Sequence, residues 1–285
     1  MDIRCVAVIG AGNMGNGIAQ VCATAGYRVY LRDVQESFLE RAMANIQKSL
    51  ARMVKAGKIQ ESEVPVILGR ITTTTDLETA VKEASLVIEA VPEDLSLKQQ
   101  LFADLDRLTP PDCVLASNTS NFSITAIASA TKRPDKVVGM HWFNPPPVMR
   151  LIEVVRGFET SDETIAFIKA VSETLGKETV VCKDAQGFIT TRAVIALSLE
   201  AYRMLEEGVA TREDIDKAIR LGLNHPMGPL ELADLTGQDV TLMVAEAMSQ
   251  AYGDRFKPTN TLRNLVRAGR LGRKVGKGIY NYENQ

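Results

Sequence analysis

The sequence predicts an α/β fold in which a parallel sheet with helices on both faces is followed by a smaller all-helical domain. Three observations carry this reading. Short apolar runs alternate with longer helical stretches through the first half of the chain, a glycine-rich turn joins the first run to the first helical stretch, and the pattern becomes helical after residue 184. Such alternation is the signature of parallel strands joined by helical crossovers.

The expected strands are residues 6–9, 29–31, 71–74, 86–90, 114–116 and 137–140. They are nearly continuous in Val, Ile and Leu, as strands are when both faces of their sheet are covered. The run Thr72-Thr73-Thr74-Thr75 is β-branched and belongs to the third of them. Helical stretches at 18–25, 38–55 and 98–108 lie between strands. After 137–140, Pro145-Pro146-Pro147 cannot donate to a sheet ladder, so the chain turns and returns through 151–155. Beyond Lys183-Asp184-Ala185-Gln186-Gly187, residues 188–207 form one long helical stretch and Thr211-Arg212-Glu213-Asp214 reads as a capping box opening another. Residues 229–251 and 261–268 continue the helical pattern. The domain boundary is placed at Asp184, giving domains 1–184 and 185–285.

The 285 residues suffice for two domains and a full-sized core. With 45% hydrophobic and 24% charged residues, the chain is neither disordered nor fibrous. Lys and Arg number 33 against 35 acids, a balance that argues against a nucleic-acid footprint over the whole protein. No apolar run approaches the ~18 residues of a membrane span. Met1-Asp2-Ile3-Arg4 leads straight into the first strand, so no signal peptide is expected. Cys5, Cys22, Cys113 and Cys182 lie far apart, without metal-ligand or redox-motif spacing. They read as buried reduced thiols of a cytoplasmic protein, and no metal site is expected.

Gly10-Ala11-Gly12-Asn13-Met14-Gly15 has G-x-G-x-x-G spacing between the first strand and an apolar helix. Gly10 permits the tight turn, Gly12 lets the backbone approach a pyrophosphate, and Gly15 lets helix and strand pack closely. The helix N-terminus turns free N–H groups and a positive dipole towards the phosphates. Eighteen residues after Gly15, Asp33 closes the second strand, where a carboxylate accepts from ribose hydroxyls and repels a 2′-phosphate. The order favours a Rossmann-type domain that binds NAD rather than NADP, with neighbouring Arg32 as the one feature against. Taken alone, the motif also fits a packing turn with a solvated Asp.

His141 ends the strand 137–140, and Glu153 interrupts the apolar return strand. An acid there is costly to bury unless paired, and a hairpin brings it beside His141. Such a pair supplies a general base whose tautomer the carboxylate fixes; a core histidine satisfied by an acid is the plainer alternative. Ser117-Asn118-Thr119-Ser120 follows the strand 114–116 and offers hydroxyls and an amide at the same sheet edge, or else a helix cap. His225, in a turn entering a helix, reads as structural. Arg41, Lys48, Arg52 and Lys55 fall on one helix face, either a solvated surface or a site for substrate phosphates. The stretch 257–277 holds seven Lys or Arg and no acid, but Gly272-Arg273-Lys274-Val275-Gly276-Lys277-Gly278 lacks P-loop spacing, so ATP binding is not supported.

Val8-Ile9-Gly10-Ala11-Gly12 with Met14-Gly15, Glu89-Ala90, Ser117-Asn118-Thr119-Ser120, His141-Trp142-Phe143-Asn144-Pro145, Asn224-His225-Pro226-Met227-Gly228-Pro229 and Gly272-Arg273-Lys274 together resemble the L-3-hydroxyacyl-CoA dehydrogenase family, its bacterial (S)-3-hydroxybutyryl-CoA dehydrogenases above all. The likeness runs essentially end to end. It implies reversible oxidation of an L-3-hydroxyacyl-CoA by NAD in a homodimer built on the helical domain. By that likeness His141 takes the hydroxyl proton, Glu153 orients the imidazole, Ser120 bonds the substrate near the nicotinamide, and Asn144 supports both. Met14, Glu93, Lys98 and Lys274 match positions near the cofactor, and Ser49, with Arg52 and Lys55 on the same helix, matches the coenzyme A contact.

Two departures stand out. Gly187-Phe188-Ile189-Thr190-Thr191-Arg192 has Thr191 where the family has a substrate-contacting Asn, which keeps a hydroxyl but loses the amide's reach. A family lysine for coenzyme A falls at Ala56, with Lys55 next to it. Two competing readings remain at this stage: a dehydrogenase of a free hydroxy or sugar acid on the same scaffold, and a non-catalytic dinucleotide-binding protein.

Overall fold

The computed structural model describes residue 3 and residues 5–282, and the chain divides into two compact units, Met1–Ala185 and Gln186–Gln285. Met1, Asp2 and Arg4, on which the expectation of a leaderless start rests, lie outside the described residues.

In the first unit the elements run β1 (Val6–Ile9), α1 (Asn13–Thr24), β2 (Val29–Arg32), α2 (Glu36–Lys55), α3 (Glu63–Gly69), β3 (Ile71–Thr74), α4 (Leu77–Val81), β4 (Leu86–Glu89), α5 (Leu95–Leu108), β5 (Val114–Ser117), α6 (Ile124–Ala128), β6 (Val137–Trp142), β7 (Leu151–Arg156), α7 (Asp162–Thr174) and β8 (Glu178–Lys183). The eight strands form one sheet in the order β3-β2-β1-β4-β5-β6-β7-β8. The first six are parallel, β7 is antiparallel to β6, and β8 is parallel to β7. Strand order reverses beside β1, whose neighbours are β2 and β4, and ligands of open α/β sheets bind at the carboxyl ends of the strands at such a point.

Every strand expected in this unit forms, and β6 is longer than expected: it runs through Trp142, so His141 lies inside the strand and not at its end. β1, β4 and β5 are buried at every position. On α2, Leu39, Ala42, Ile46 and Leu50 are buried at helical spacing, while Arg41, Lys48, Arg52 and Lys55 are exposed. Each large apolar side chain buried on that face stabilises the helix's seat by about 1.5–3 kcal/mol. β8 had no counterpart among the expected strands. It is an edge strand with Val180 and Val181 partly exposed, so the run of inward-facing residues that marks the others is missing.

The second unit contains α8 (Thr190–Glu206), α9 (Arg212–Gly222), α10 (Pro229–Thr236), α11 (Gln238–Tyr252) and α12 (Asn260–Arg267) around Leu199, Tyr202, Leu230, Ala245, Met248 and Leu262. The expected helix 188–207 starts at Thr190, because Gly187 (φ +75°) and Phe188 (φ +48°) are both left-handed. The expected stretch 229–251 is two helices, broken at Gly237 with φ +109°. Thr211 caps α9 by accepting from the Asp214 N–H (3.2 Å), but the Asp214 carboxylate accepts the Thr211 hydroxyl (3.0 Å), so the reciprocal half of a capping box does not form. Buried Asp234 pins the last described segment, accepting from Ile279 N–H and Tyr280 N–H at 2.9 Å each.

The four cysteines are free thiols, three of them buried and Cys182 half-buried. Burial pushes Cys22 and Cys113 up to about 12 and Cys182 to about 11, so none is a thiolate near neutral pH. Among the described residues no helix is long and apolar enough to cross a membrane, and no group of three His, Cys, Asp or Glu is placed to hold a metal ion.

Candidate active site

Between β1 and α1 the chain turns within three residues, and the glycines there answer to different demands. Gly10 has φ +105°, and a Cβ on it would stand 2.5 Å from the Ala90 carbonyl oxygen at the end of β4. A Cβ on Gly15 would stand 1.7 Å from the Gly10 oxygen. Gly12 is unlike both: its φ is ordinary at −64°, and a Cβ there would meet nothing within 4 Å. Gly10 and Gly15 are therefore required by the chain itself, whereas Gly12 borders an opening at the start of α1. No side chain caps that helix and no acid lies in its first turn, so its free N–H groups are left for a ligand.

Asp33, just after β2, accepts from the Ala11 N–H (2.6 Å) and the Val34 N–H (2.7 Å). Its carboxylate is thereby fixed against the glycine turn. Arg32 donates to the Thr75 carbonyl (3.1 Å). Met14 lies in the first turn of α1, half-buried against the core. An open cradle at Gly12, an uncapped helix start and a carboxylate beside them fit the pyrophosphate and ribose of a dinucleotide.

Along the same edge, Glu89 closes β4 with no exposed surface. It accepts from Lys98 Nζ of α5 (2.6 Å), from the Ser117 hydroxyl at the end of β5 (2.6 Å) and from the Val91 N–H (2.8 Å). Burial pushes the Glu89 carboxyl up, and the Lys98 ammonium works against that shift. Lys98 also stands 3.6 Å from the Glu93 carboxylate, which accepts from the Thr119 hydroxyl (2.9 Å) and the Ser120 N–H (3.0 Å). The chain Glu89–Lys98–Glu93 thus ties the loop after β4 to the polar turn after β5. Asn118 of that turn accepts from the Trp142 N–H (2.9 Å) and so reaches β6.

β6 and β7 place His141 directly opposite Glu153. Cross-strand partners project to one face of a sheet, and here they meet: His141 Nδ1 is 2.7 Å from Glu153 Oε2. Glu153 is fully buried and His141 is 6% exposed, so the carboxylate is separated from water. The Phe143 ring packs on the imidazole with centroids 4.6 Å apart.

The strand ends thus gather Gly10, Gly12, Gly15, Asp33, Glu93, Lys98, Ser120, His141 and Glu153, with Asn144 exposed on the loop after β6. Ser49, Arg52 and Lys55 sit apart from these strand ends on α2, Ser49 half-buried and the two bases exposed. Two expected residues belong to the second unit. Thr191 lies in the first turn of α8, and Lys274 Nζ is bound by both oxygens of Asp239 at 2.6 and 2.7 Å. Sequence reasoning assigned no role to Glu89 itself, and it offered the hydroxyls of Ser117 and Thr119 to a ligand or a helix cap, whereas they donate to Glu89 and Glu93. The available signal was an acid closing an apolar strand, akin to the acid inside an apolar strand that marked Glu153.

An opening of this kind at the switch point of a sheet in this order marks a Rossmann-type dinucleotide-binding domain. The family model for the 3-hydroxyacyl-CoA dehydrogenase NAD binding domain matches residues 5–185, and that for the 3-hydroxyacyl-CoA dehydrogenase C-terminal domain matches residues 187–282. A probable 3-hydroxybutyryl-CoA dehydrogenase of Bacillus subtilis is 44% identical over 286 residues, covering 100% of this chain and 99% of the relative. A 3-hydroxybutyryl-CoA dehydrogenase of Mycobacterium tuberculosis is 45% identical, covering 98% of this chain and 99% of its own length. The crystal structure of (S)-3-hydroxybutyryl-CoA dehydrogenase from Ralstonia eutropha superposes with a TM-score of 0.96 at 41% identity, over 99% of this chain and 100% of that one. The chain belongs to the 3-hydroxyacyl-CoA dehydrogenase family, and it is an NAD-dependent oxidoreductase.

The glycine geometry separates packing from binding. Gly12→Ala is expected to fold with a near-normal melting temperature and to bind NAD at least about tenfold more weakly, because its methyl fills only the cradle. Gly15→Ala is expected to lose several kcal/mol of stability through its clash with the Gly10 carbonyl, on the order of severe core disruptions. Thermal melts and NAD titration by fluorescence check both; unchanged affinity in Gly12→Ala contradicts the cradle.

Proposed function

We propose that the protein catalyses the reversible oxidation of a short-chain L-3-hydroxyacyl-CoA to the 3-ketoacyl-CoA, with 3-hydroxybutyryl-CoA and acetoacetyl-CoA as the substrate pair. The observation that carries the chemistry is the 2.7 Å contact between His141 Nδ1 and buried Glu153 at the edge that also holds the glycine cradle. The substrate class is supported by the names of the relatives that match end to end.

An ionised Glu153 can only accept a hydrogen bond, so it holds the imidazole with its proton on Nδ1 and leaves Nε2 as the basic nitrogen. Nε2 takes the proton of the C3 hydroxyl while the C3–H bond breaks and the C3–O bond becomes a carbonyl. Glu153 then stabilises the imidazolium. In the reverse direction the same nitrogen returns the proton. NAD, when bound, supplies the hydride acceptor, with Asp33 receiving ribose hydroxyls and the start of α1 receiving the pyrophosphate. Ser120 bonds the reacting oxygen, kept in place by its N–H bond to Glu93. Asn144 orients substrate and nicotinamide. Glu93, Lys98 and Lys274 complete the cofactor's surroundings, and Met14 lines its turn. Ser49, Arg52 and Lys55 receive the phosphates of coenzyme A, with Lys55 serving in place of the base that Ala56 lacks. Thr191 faces the acyl group with a hydroxyl.

In this reading residues 1–184 bind the dinucleotide, and residues 185–285 serve substrate binding and form a homodimer, with the protein acting in the cytoplasm. Val209, Leu221, Leu223 and Leu235 of the second unit are each at least half exposed, apolar surface that a partner could cover.

Acetoacetyl-CoA is expected to be reduced at the expense of NADH absorbance, and free acetoacetate far more slowly. Failure with all acyl-CoA thioesters alongside turnover of a free hydroxy acid overturns the substrate class. His141→Ala is expected to lower kcat by at least about a hundredfold with NAD binding retained, the low end of general-base contributions. Near-normal kcat in that variant removes His141 from the role. Light scattering is expected to give a particle of twice the 31.1 kDa chain mass, and a monomer at micromolar concentration contradicts the dimer.

A further inference from the structure

The loop that carries Asn144 away from β6 has few backbone hydrogen bonds of its own. Pro145, Pro146 and Pro147 have no N–H groups, and the turn's own backbone bonds are from Val148 and Met149 N–H to the Pro145 carbonyl, at 3.0 and 3.1 Å. The carbonyls of Pro146 and Met149 are satisfied from elsewhere. Lys177, in the turn between α7 and β8, donates from its ammonium to both, at 2.7 Å each. The same ammonium lies 5.6 Å from the centre of the ring of Trp142, the residue that follows His141. Its partners are thus two carbonyl oxygens and an indole face, not a carboxylate. Such contacts are individually strong, since a charged donor binds a neutral oxygen better than a neutral one does and an ammonium is attracted to an aromatic face.

The opposite side of the loop is fixed as well. Pro146 packs on α1 at Gly17, where a Cβ would stand 2.8 Å from the proline Cδ. Lys177 is itself anchored, because its N–H donates to the Ser172 carbonyl at the end of α7 (2.9 Å). The loop is therefore gripped between a flat patch of α1 and one cation. Half burial lowers the pKa of Lys177, the cost of bringing a charge to this place. An open groove of about 320 Å³ adjoins the grip, lined by Gln20, Thr24, Met53, Val148 and Lys177.

We infer that Lys177 is a positioning residue that holds Asn144 in its working place by clamping the Pro146–Met149 segment; this rests on the role proposed above for Asn144. His141 is held independently by the β6–β7 register and by Glu153. The effect of Lys177 therefore passes through Asn144 and not through the base.

A double-mutant cycle in the intact enzyme separates the two claims. Lys177→Met keeps the length of the stem and removes the donors. It is expected to lower kcat between about tenfold and a hundredfold, the range in which a shift of about 1 Å in a positioning group acts, with the Kd for NAD within about twofold of wild type. In the Asn144→Ala background the same substitution is expected to cost almost nothing further, since interacting residues are not additive. Lys177→Arg, which keeps charge and donors, is expected to recover most of the activity. Lys177→Gln runs the same cycle should Lys177→Met not fold. Wild-type kcat in Lys177→Met, a full additional loss on top of Asn144→Ala, or a loss matched by weaker NAD binding each overturns the assignment of Lys177. Wild-type kcat in Asn144→Ala instead overturns the role of Asn144, and the inference falls with it.

Discussion

A carboxylate with no exposed surface has to be paired, and the pairing of Glu153 with His141 is the constraint around which this sheet edge is arranged. The pair exists because the chain reverses after β6. A helical crossover would have returned the next strand parallel and at a different register. The proline turn returns it antiparallel, with Glu153 facing His141 across one rung. Removing either partner of such a buried pair typically costs about 3–5 kcal/mol, because the other is left uncompensated.

Three further carboxylates lie at or just beyond strand ends on the same edge, and their surroundings divide their roles. Asp33 is partly exposed and spends its oxygens on the N–H groups of the glycine turn and its own neighbour. Glu89 is buried and bound to Lys98, Ser117 and the backbone, so it joins loops and does not face solvent. Glu93 lies between these cases, fixed by Thr119 and Ser120 yet partly open. Acids at the strand ends and in the loop after β4 thus yield a candidate ligand contact, a structural tie and a support for a neighbouring turn.

Much of this was legible in the amino-acid order. Strands buried on both faces announce themselves as continuous Val, Ile and Leu, and β1, β4 and β5 are of that kind. The facing of His141 and Glu153 could be read because one polar residue interrupted each apolar run around a proline turn. β8 was not legible, since an exposed edge strand carries no such run, and neither were the short helices α3 and α4, which hold too few turns to show a period. Lys177 carried no signal at all. Its partners are backbone carbonyls some thirty residues away, and carbonyls have no letter in a sequence. The break at Gly237 and the left-handed Gly187-Phe188 pair similarly depend on backbone angles that helical periodicity does not register.

The central claim is that Glu153 selects one protonated nitrogen of His141. The chain has two histidines, so a histidine-labelled sample with His225 replaced gives a single set of ring ¹⁵N signals for His141. At a pH where the ring is neutral, the Nδ1 signal should have the shift of a protonated nitrogen and the Nε2 signal that of a bare one. A proton on Nε2, or an even mixture of the two forms, would contradict it.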